Sequence, residues 1–412
     1  MSASIRDGIA ASATLLALSL GTSCGEGSST STSAPAAGQA PTGTAAGAAP
    51  GGASAGTAGS VDAAGRTSAL GGAGSSTNAG SPANLGGAAT SGAAGAAEPG
   101  AGSVLRIYWI DVEGGASTII AAPNGRTIVV DAGWAGDRDA ARIANVLKDE
   151  LHVQVIDHFI TTHYHTDHIG GVPTLAGLVP ISQFHDHGAT LEPGRDFDNY
   201  VSAAGDKRVT QKPGDKLDLG ELHLTFVTSA TEVIDPPLPP GATNTLCDSS
   251  TSKSMTAGIE NTESLGFVAT FGQFQFVDLG DLTWNIEQTL MCPLNRLGTA
   301  DVYQVSHHGQ DISGSPQLVY ALAPTVAIMN NGASKGGASA TFELLKASPG
   351  LKDLWSLHHV TANDAEHNAV EDLTANLAGA DEGYFIAAEV AANGSYTITN
   401  SRTGASRTYA SH

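Results

Sequence analysis

Thr161-Thr162-His163-Tyr164-His165-Thr166-Asp167-His168-Ile169-Gly170-Gly171 follows directly on the apolar run Val155 to Ile160. Three histidines and one aspartate therefore stand at the end of an expected strand, within the six positions 163–168. Imidazoles at i and i+2 share one side of an extended chain, and Asp167 and His168, one turn further on, can face the same cavity. Neutral imidazole and carboxylate are the ligand types that hold zinc and similar divalent ions. At this chain's own frequencies, chance produces His-x-His-x-Asp-His in about one such chain per thousand. The stretch predicts a metal site.

Upstream, Leu105 to Val112 alternates and is rich in β-formers. Ser117 to Ala121 and Thr127 to Val130 flank the turn signal Pro123-Asn124-Gly125 and end at Asp131-Ala132-Gly133. Helical spacing from Arg138 to Leu151 puts Ile143, Val146, Leu147 and Leu151 on one face. Downstream, strands are expected over 181–184, 223–227, 265–271, 274–279, 302–306, 325–329, 353–357, 383–389 and 395–399. Helices are expected over 174–178, 196–204, 284–291, 315–322 and 340–347. The Pro- and polar-rich segment 228–264 reads as a long loop at the rim of a site. Strands first, then strands alternating with helices, predict an α/β fold of two mixed sheets face to face with helices outside. Ligand-type residues recur at five strand ends, 131, 163–168, 185–187, 281 and 307–308, which predicts one shared edge and one site.

Composition separates this folded part from the rest. All 22 aromatic residues and all 14 histidines lie after residue 103 of 412. Residues 25–103 are nearly all Gly, Ala, Ser, Thr and Pro, with Val61, Leu70 and Leu85 the only large aliphatics. Such a segment buries too little apolar surface to offset backbone entropy, so a disordered linker is expected there and one large folded domain over 104–412. Of the net charge of −21, the folded part carries 17 basic against 36 acidic side chains. That balance repels phosphate backbones, and general nucleic-acid binding is not expected. Bound cations would offset part of it locally, leaving small anionic substrates open.

Residues 1–24 have the shape of an export signal: Arg6, the apolar stretch Ile9 to Leu20, then Gly21-Thr22-Ser23-Cys24. The stretch is too short to span a membrane stably. Its end resembles the lipobox of bacterial lipoproteins, with Gly21 where Leu is usual. Acylation of Cys24 would place the domain in the cell envelope, facing periplasm or exterior, with membrane contact only through that anchor. Ordinary cleavage and secretion is the alternative. The two remaining cysteines, Cys247 and Cys292, form an even pair suited to an oxidising compartment. A disulfide is expected to tie the 241–264 loop to the segment after the 284–291 helix.

Together these residues resemble the metallo-β-lactamase superfamily, whose motif is matched by His163-x-His165-x-Asp167-His168. The resemblance implies an αββα four-layer sandwich and a hydrolase domain. More closely, the chain is similar to the branch holding the hydrolase domain of DNA-uptake channel proteins and a choline-binding phosphodiesterase. Asp111-Val112 with Gly115, Asp131-Ala132-Gly133, Leu279-Gly280-Asp281 and His307-His308-Gly309 carry that likeness. Carried over by position, His163 and His165 bind a first metal, Asp167 and His168 a second, and Asp281 bridges both. His308 completes the second metal, and His307 faces the substrate. His187, or failing it His185, takes the first metal's remaining histidine position. Asp131 stands behind the ligands and orients one of them. The chain departs from the branch at Gly114-Gly115-Ala116, where Gln-Gly-Asp is usual, and at Gly336-Gly337-Ala338, which replaces Gly-His-Pro. His358, His359 and His367 are expected to be ordinary surface histidines of a late polar loop.

The resemblance implies two divalent ions, zinc first and manganese or iron as alternatives, about 3.5–4 Å apart and sharing an activated water. With Asp167, Asp281 and His307 closest to the chemistry, the expected reaction is hydrolysis of an ester, phosphodiester, amide or lactam; the substrate stays open. Two other classes are an iron-dependent oxidoreductase of the same fold and a non-catalytic envelope binding protein.

Overall fold

The alternation read from the sequence separates an inner from an outer face on every long strand. The computed structural model describes residues 103–412 other than 240, 248–257, 378, 380 and 381. The expected signal, Cys24 and the linker as far as residue 102 lie outside the described residues. In Val104–Trp109, Ile107 and Trp109 point to one core while Tyr108 joins another. Thr127–Val130 repeats this, with Ile128 and Val130 inward and Val129 outward. So does Phe274–Asp278, with Phe276 inward and Val277 outward. A period of two is what a sheet with both faces covered requires.

Two nine-stranded sheets result. The first runs, in space, Ser406–Ala410, Ser395–Asn400, Ile386–Ala391, Val104–Trp109, Thr118–Ala121, Thr127–Val130, Ile156–Ile160, Ile181–Asp186 and Arg208–Thr210. The second runs Thr374–Asn376, Asp353–His358, Val326–Met329, Val302–Gln304, Phe274–Asp278, Gly266–Phe271, Leu222–Ser229 and Lys216–Leu219, with Glu232–Val233 beside Leu222–Ser229. Each changes once from antiparallel to parallel pairing, at Thr127–Val130 against Ile156–Ile160 in the first and at Phe274–Asp278 against Val302–Gln304 in the second.

The sheets meet across a core in which Trp109 lies edge-on to Phe276, ring centres 5.7 Å apart. Each such side chain, fully buried, contributes roughly 1.5–3 kcal/mol by removal from water. Polar ties cross this core: Gln304 Oε1 accepts from Trp109 Nε1 at 3.0 Å and Thr118 Oγ1 at 2.8 Å, and Tyr409 OH accepts from Trp355 Nε1 at 3.2 Å. Helices Asp137–Asn145, Val172–Leu178 and Arg195–Ala204 cover the first sheet through Ile143, Leu175 and Tyr200. Trp284–Met291, Pro316–Leu322 and Ser339–Lys346 cover the second through Leu290, Leu318 and Phe342. The fold is an αββα sandwich.

The expected elements are present, with several differences, among them the short strands Arg208–Thr210, Lys216–Leu219 and Thr374–Asn376 that the sequence pattern does not mark. The helix expected to Leu151 is α-helical to Asn145 and continues as a π turn over Val146–Glu150. The C-terminal hairpin gains a third strand, Ser406–Ala410, in which only Tyr409 is buried, stacked on Tyr396. One buried residue in five leaves almost no periodic signal. His358 closes a strand, not a polar loop, and is 1% exposed. Its Nε2 lies 2.7 Å from Asp111 Oδ1, and that distant carboxylate is why an interior position accepts an imidazole.

The expected disulfide, Cys247–Cys292, is formed. It joins the loop to the end of the Trp284–Met291 helix, where Asn244 Nδ2 also donates to Met291 O and Gln317 O at 3.0 Å. On the same helix, fully buried Glu287 accepts from Gly314 N and Ser315 N at 2.7 Å, fixing the start of Pro316–Leu322. Burial pushes this carboxyl from 4.5 up to about 7 against those two hydrogen bonds. The folded state therefore holds the proton more tightly than the unfolded chain, and stability falls as pH rises between about 4.5 and 7. Glu287→Gln should flatten the pH dependence of Tm across that window; an unchanged profile would show that the carboxyl stays ionised throughout.

Candidate metal centre

Ligand-type residues gather beyond the carboxyl ends of the parallel strands, where open α/β sheets place their sites. Ile156–Ile160 leads into His163–His168, Phe274–Asp278 into Asp281, and Val302–Gln304 into His307 and His308. His307 and His308 both have left-handed backbone, at φ 54° and 56°, and so does Asp131, at φ 57°. Such geometry costs a non-glycine residue roughly 1–2 kcal/mol, a strain that clusters at functional sites.

Asp281 stands at the middle. Its Oδ2 lies 3.7 Å from His163 Nε2, 3.4 Å from His168 Nε2, 3.3 Å from His307 Nε2 and 3.4 Å from His308 Nε2. Asp167 Oδ2 closes the group from the other side, 3.3 Å from His168 Nε2 and 3.0 Å from His308 Nε2. Ligand atoms of Asp167, His168, Asp281 and His308, all buried, lie within 4.8 Å of one another. That spacing suits donors each about 2.0–2.2 Å from a common ion.

Nδ1 of each inward-facing ring is held from behind. His168 Nδ1 is 2.7 Å from Asp131 Oδ2, His308 Nδ1 is 3.0 Å from Asn330 O, and His307 Nδ1 is 3.1 Å from Ser313 Oγ. Asp131 is itself fixed, accepting from Thr162 N at 2.9 Å and Thr162 Oγ1 at 2.7 Å. Oriented in this way, each ring directs Nε2 at the carboxylates. His165 differs: it is half-exposed, with Nδ1 3.0 Å from His163 Nε2 and Nε2 3.3 Å from Glu192 Oε2.

The electrostatics are those of a pocket short of positive charge. Burial alone would depress His168, yet Asp281, Asp167 and Asp131 raise it well above the imidazole range. Burial would likewise raise Asp281, and His307, His308, His168 and His163 instead hold it well below the carboxylate range. The buried donors and their unscreened carboxylates fit a divalent cation.

The other expected histidines have partners of their own. His187 has its Nε2 2.8 Å from Glu260 Oε1, and its ring packs 4.3 Å from Tyr164. His185 has both nitrogens engaged, by His158 Nδ1 and Gln211 Nε2, each at 2.9 Å. The two loops that depart from the branch pattern press on the motif backbone. A Cβ on Gly115 would stand 2.4 Å from Asp167 O, and one on Gly336 2.2 Å from His308 O. Lys335, between those glycines and the centre, was not anticipated. Its ammonium pairs with Asp167 and lies 4.8 Å from the centre of the Trp134 ring. A lone lysine in a Gly-rich segment after a strand is the only trace of it in the sequence.

A family model, the metallo-beta-lactamase superfamily, matches residues 110–248. Over that segment, which carries the His163–His168 motif, the chain is similar to that superfamily. No curated protein matches the sequence. Among solved structures, the metallo-beta-lactamase fold protein YhfI of Bacillus subtilis is 12% identical, over 62% of this chain and 96% of its own, at a TM-score of 0.39. A protein of Parabacteroides distasonis described as a metal-dependent hydrolase is 18% identical over 60% and 91%, at 0.36. CmlA, a diiron beta-hydroxylase of Streptomyces venezuelae, is 16% identical over 56% and 45%, at 0.33. These superpositions are loose, and the likeness to the superfamily rests on the matched segment and its motif.

Replacing Asp131 by Ala should weaken metal binding about 10–100-fold while the chain stays folded, read by competition with a chromophoric chelator. Wild-type affinity in that variant would mean that Asp131 does not act through His168.

Proposed function

We infer that this protein is a two-metal hydrolase of the metallo-β-lactamase superfamily. The observation that carries the reading is Asp281 Oδ2, within 3.3–3.7 Å of four buried imidazole nitrogens from two different segments. A carboxylate so shared is placed to bridge two ions. His163 and His165 would serve the first ion, and Asp167, His168 and His308 the second. When bound, such ions supply Lewis acidity and bring the pKa of a water toward neutrality.

The chain's own residues supply position and charge. Asp131, Asn330 and Ser313 fix the rings, so little reorganisation accompanies reaction. Burial depresses His307 below the ordinary imidazole range against the pull of Asp281, so the ring favours its neutral form and can accept a proton there. Lys335 places a cation at Asp167 for an anionic group of the substrate. An ester or phosphodiester is the substrate class these features favour, zinc the first candidate metal and manganese or iron the others.

We place the protein outside the cytoplasm, anchored through an acylated Cys24 or released. The disulfide supports an oxidising compartment. Among the described residues no helix is long and apolar enough to cross a membrane, so any anchoring would fall to the N-terminal segment.

The zinc- or manganese-loaded chain should turn over at least one member of a panel of phosphodiesters, lactones, thioesters and lactams. His163→Ala and Asp281→Ala should each bind less metal and retain under about 1% of that activity. Full turnover by a metal-free His163→Ala protein would overturn the reading.

A further inference from the structure

Asn261 sits in the Glu260–Glu263 turn, at the edge of the long loop, and is only 4% exposed. The turn is pinned at both ends: Asn261 N donates to Gly258 O at 3.2 Å, while Asn261 O accepts from Ser264 N at 3.3 Å and Ser264 Oγ at 2.9 Å. The side-chain amide is thus delivered by backbone whose own groups are satisfied.

The two ends of that amide differ. Nδ2 lies 3.4 Å from His307 Nε2, the nitrogen that also faces Asp281. Oδ1 is buried and has no hydrogen-bond partner. An orphaned buried amide oxygen costs about 1–3 kcal/mol unless something satisfies it. The amide, through its nitrogen end, also borders the space beside His165. A Cβ built on Gly258 would stand 2.8 Å from Asn261 Nδ2 and 3.4 Å from His165 Cε1, so amide and ring line one narrow gap.

His187 faces two glutamates instead: its Nε2 lies 2.8 Å from Glu260 Oε1, and its Nδ1, without a hydrogen-bond partner, 4.0 Å from Glu263 Oε2. The first ion is left with His163, His165 and Asp281, one donor short of a closed set and short of the second ion's complement. We propose that the side-chain oxygen of Asn261 completes the ligand set of the first metal, in the position expected for a third histidine.

This rests on the two-metal reading and adds a consequence to it. An amide oxygen is a harder and weaker donor than imidazole, better matched to manganese than to zinc. The two sites should therefore differ in affinity, the first releasing its ion more readily. Asn261→Leu removes the oxygen and keeps the bulk; Asn261→Asp keeps an oxygen and adds charge.

Metal content per chain, measured by mass spectrometry after dialysis against graded chelator, separates the outcomes. Wild type should retain two ions of unequal affinity. Asn261→Leu should lose the weaker ion at least about 10-fold more readily while keeping the tighter one, and that retained ion certifies the fold. Asn261→Asp should hold the weaker ion at least as well as wild type. Wild-type stoichiometry and affinities in Asn261→Leu, or loss in Asn261→Asp equal to that in Asn261→Leu, would overturn the proposal while leaving two metals in place. A wild-type chain that binds one ion would instead sink the two-metal reading.

Discussion

One carboxylate oxygen organises this centre. Asp281 is 3% exposed, and a buried carboxylate without partners carries a desolvation penalty of several kcal/mol. Four imidazoles surround it, three of them held from behind by Asp131, Asn330 and Ser313. Remove the negative charge and the rings lose the reason to converge; remove the rings and the carboxylate cannot stay buried. The left-handed backbone at His307 and His308 is maintained by the same mutual need.

The sandwich serves that convergence. Each sheet turns from antiparallel to parallel pairing, and it is the parallel halves that end at the centre. Parallel neighbours send their carboxyl ends in one direction, so residues far apart in sequence arrive together without long excursions. The polar tie of Gln304 to Trp109 and Thr118 links the two sheets at the end of the strand that delivers both histidines.

Much of this was legible in the sequence because it is local. His163 to His168 is contiguous, and strand ends are marked by apolar runs giving way to ligand-type residues. What was not legible depends on distant partners. His187 was read correctly as the residue at a strand end, yet Glu260, 73 positions away, decides which way its ring turns. His358 looked like a surface residue until Asp111, 247 positions away, met it in the interior. Lys335 and Asn261 belong to types that no metal motif asks for, so only proximity reveals them. A search for histidine and acid passes over an amide.

The strand Val104–Trp109 lies in the interior of its sheet, paired on one side with Thr118–Ala121 and on the other with Ile386–Ala391. The second pairing joins residues 287 positions apart, Val104 opposite Ala391. Contacts of such sequence separation form late, because the loop between them must be closed before they contribute. While the chain is being made, the first strand therefore offers an unsatisfied edge until residues 386–410 emerge. Folding of the first sheet thus waits on residues 386–391, and a chain lacking them would present that edge to its neighbours as a template for aggregation.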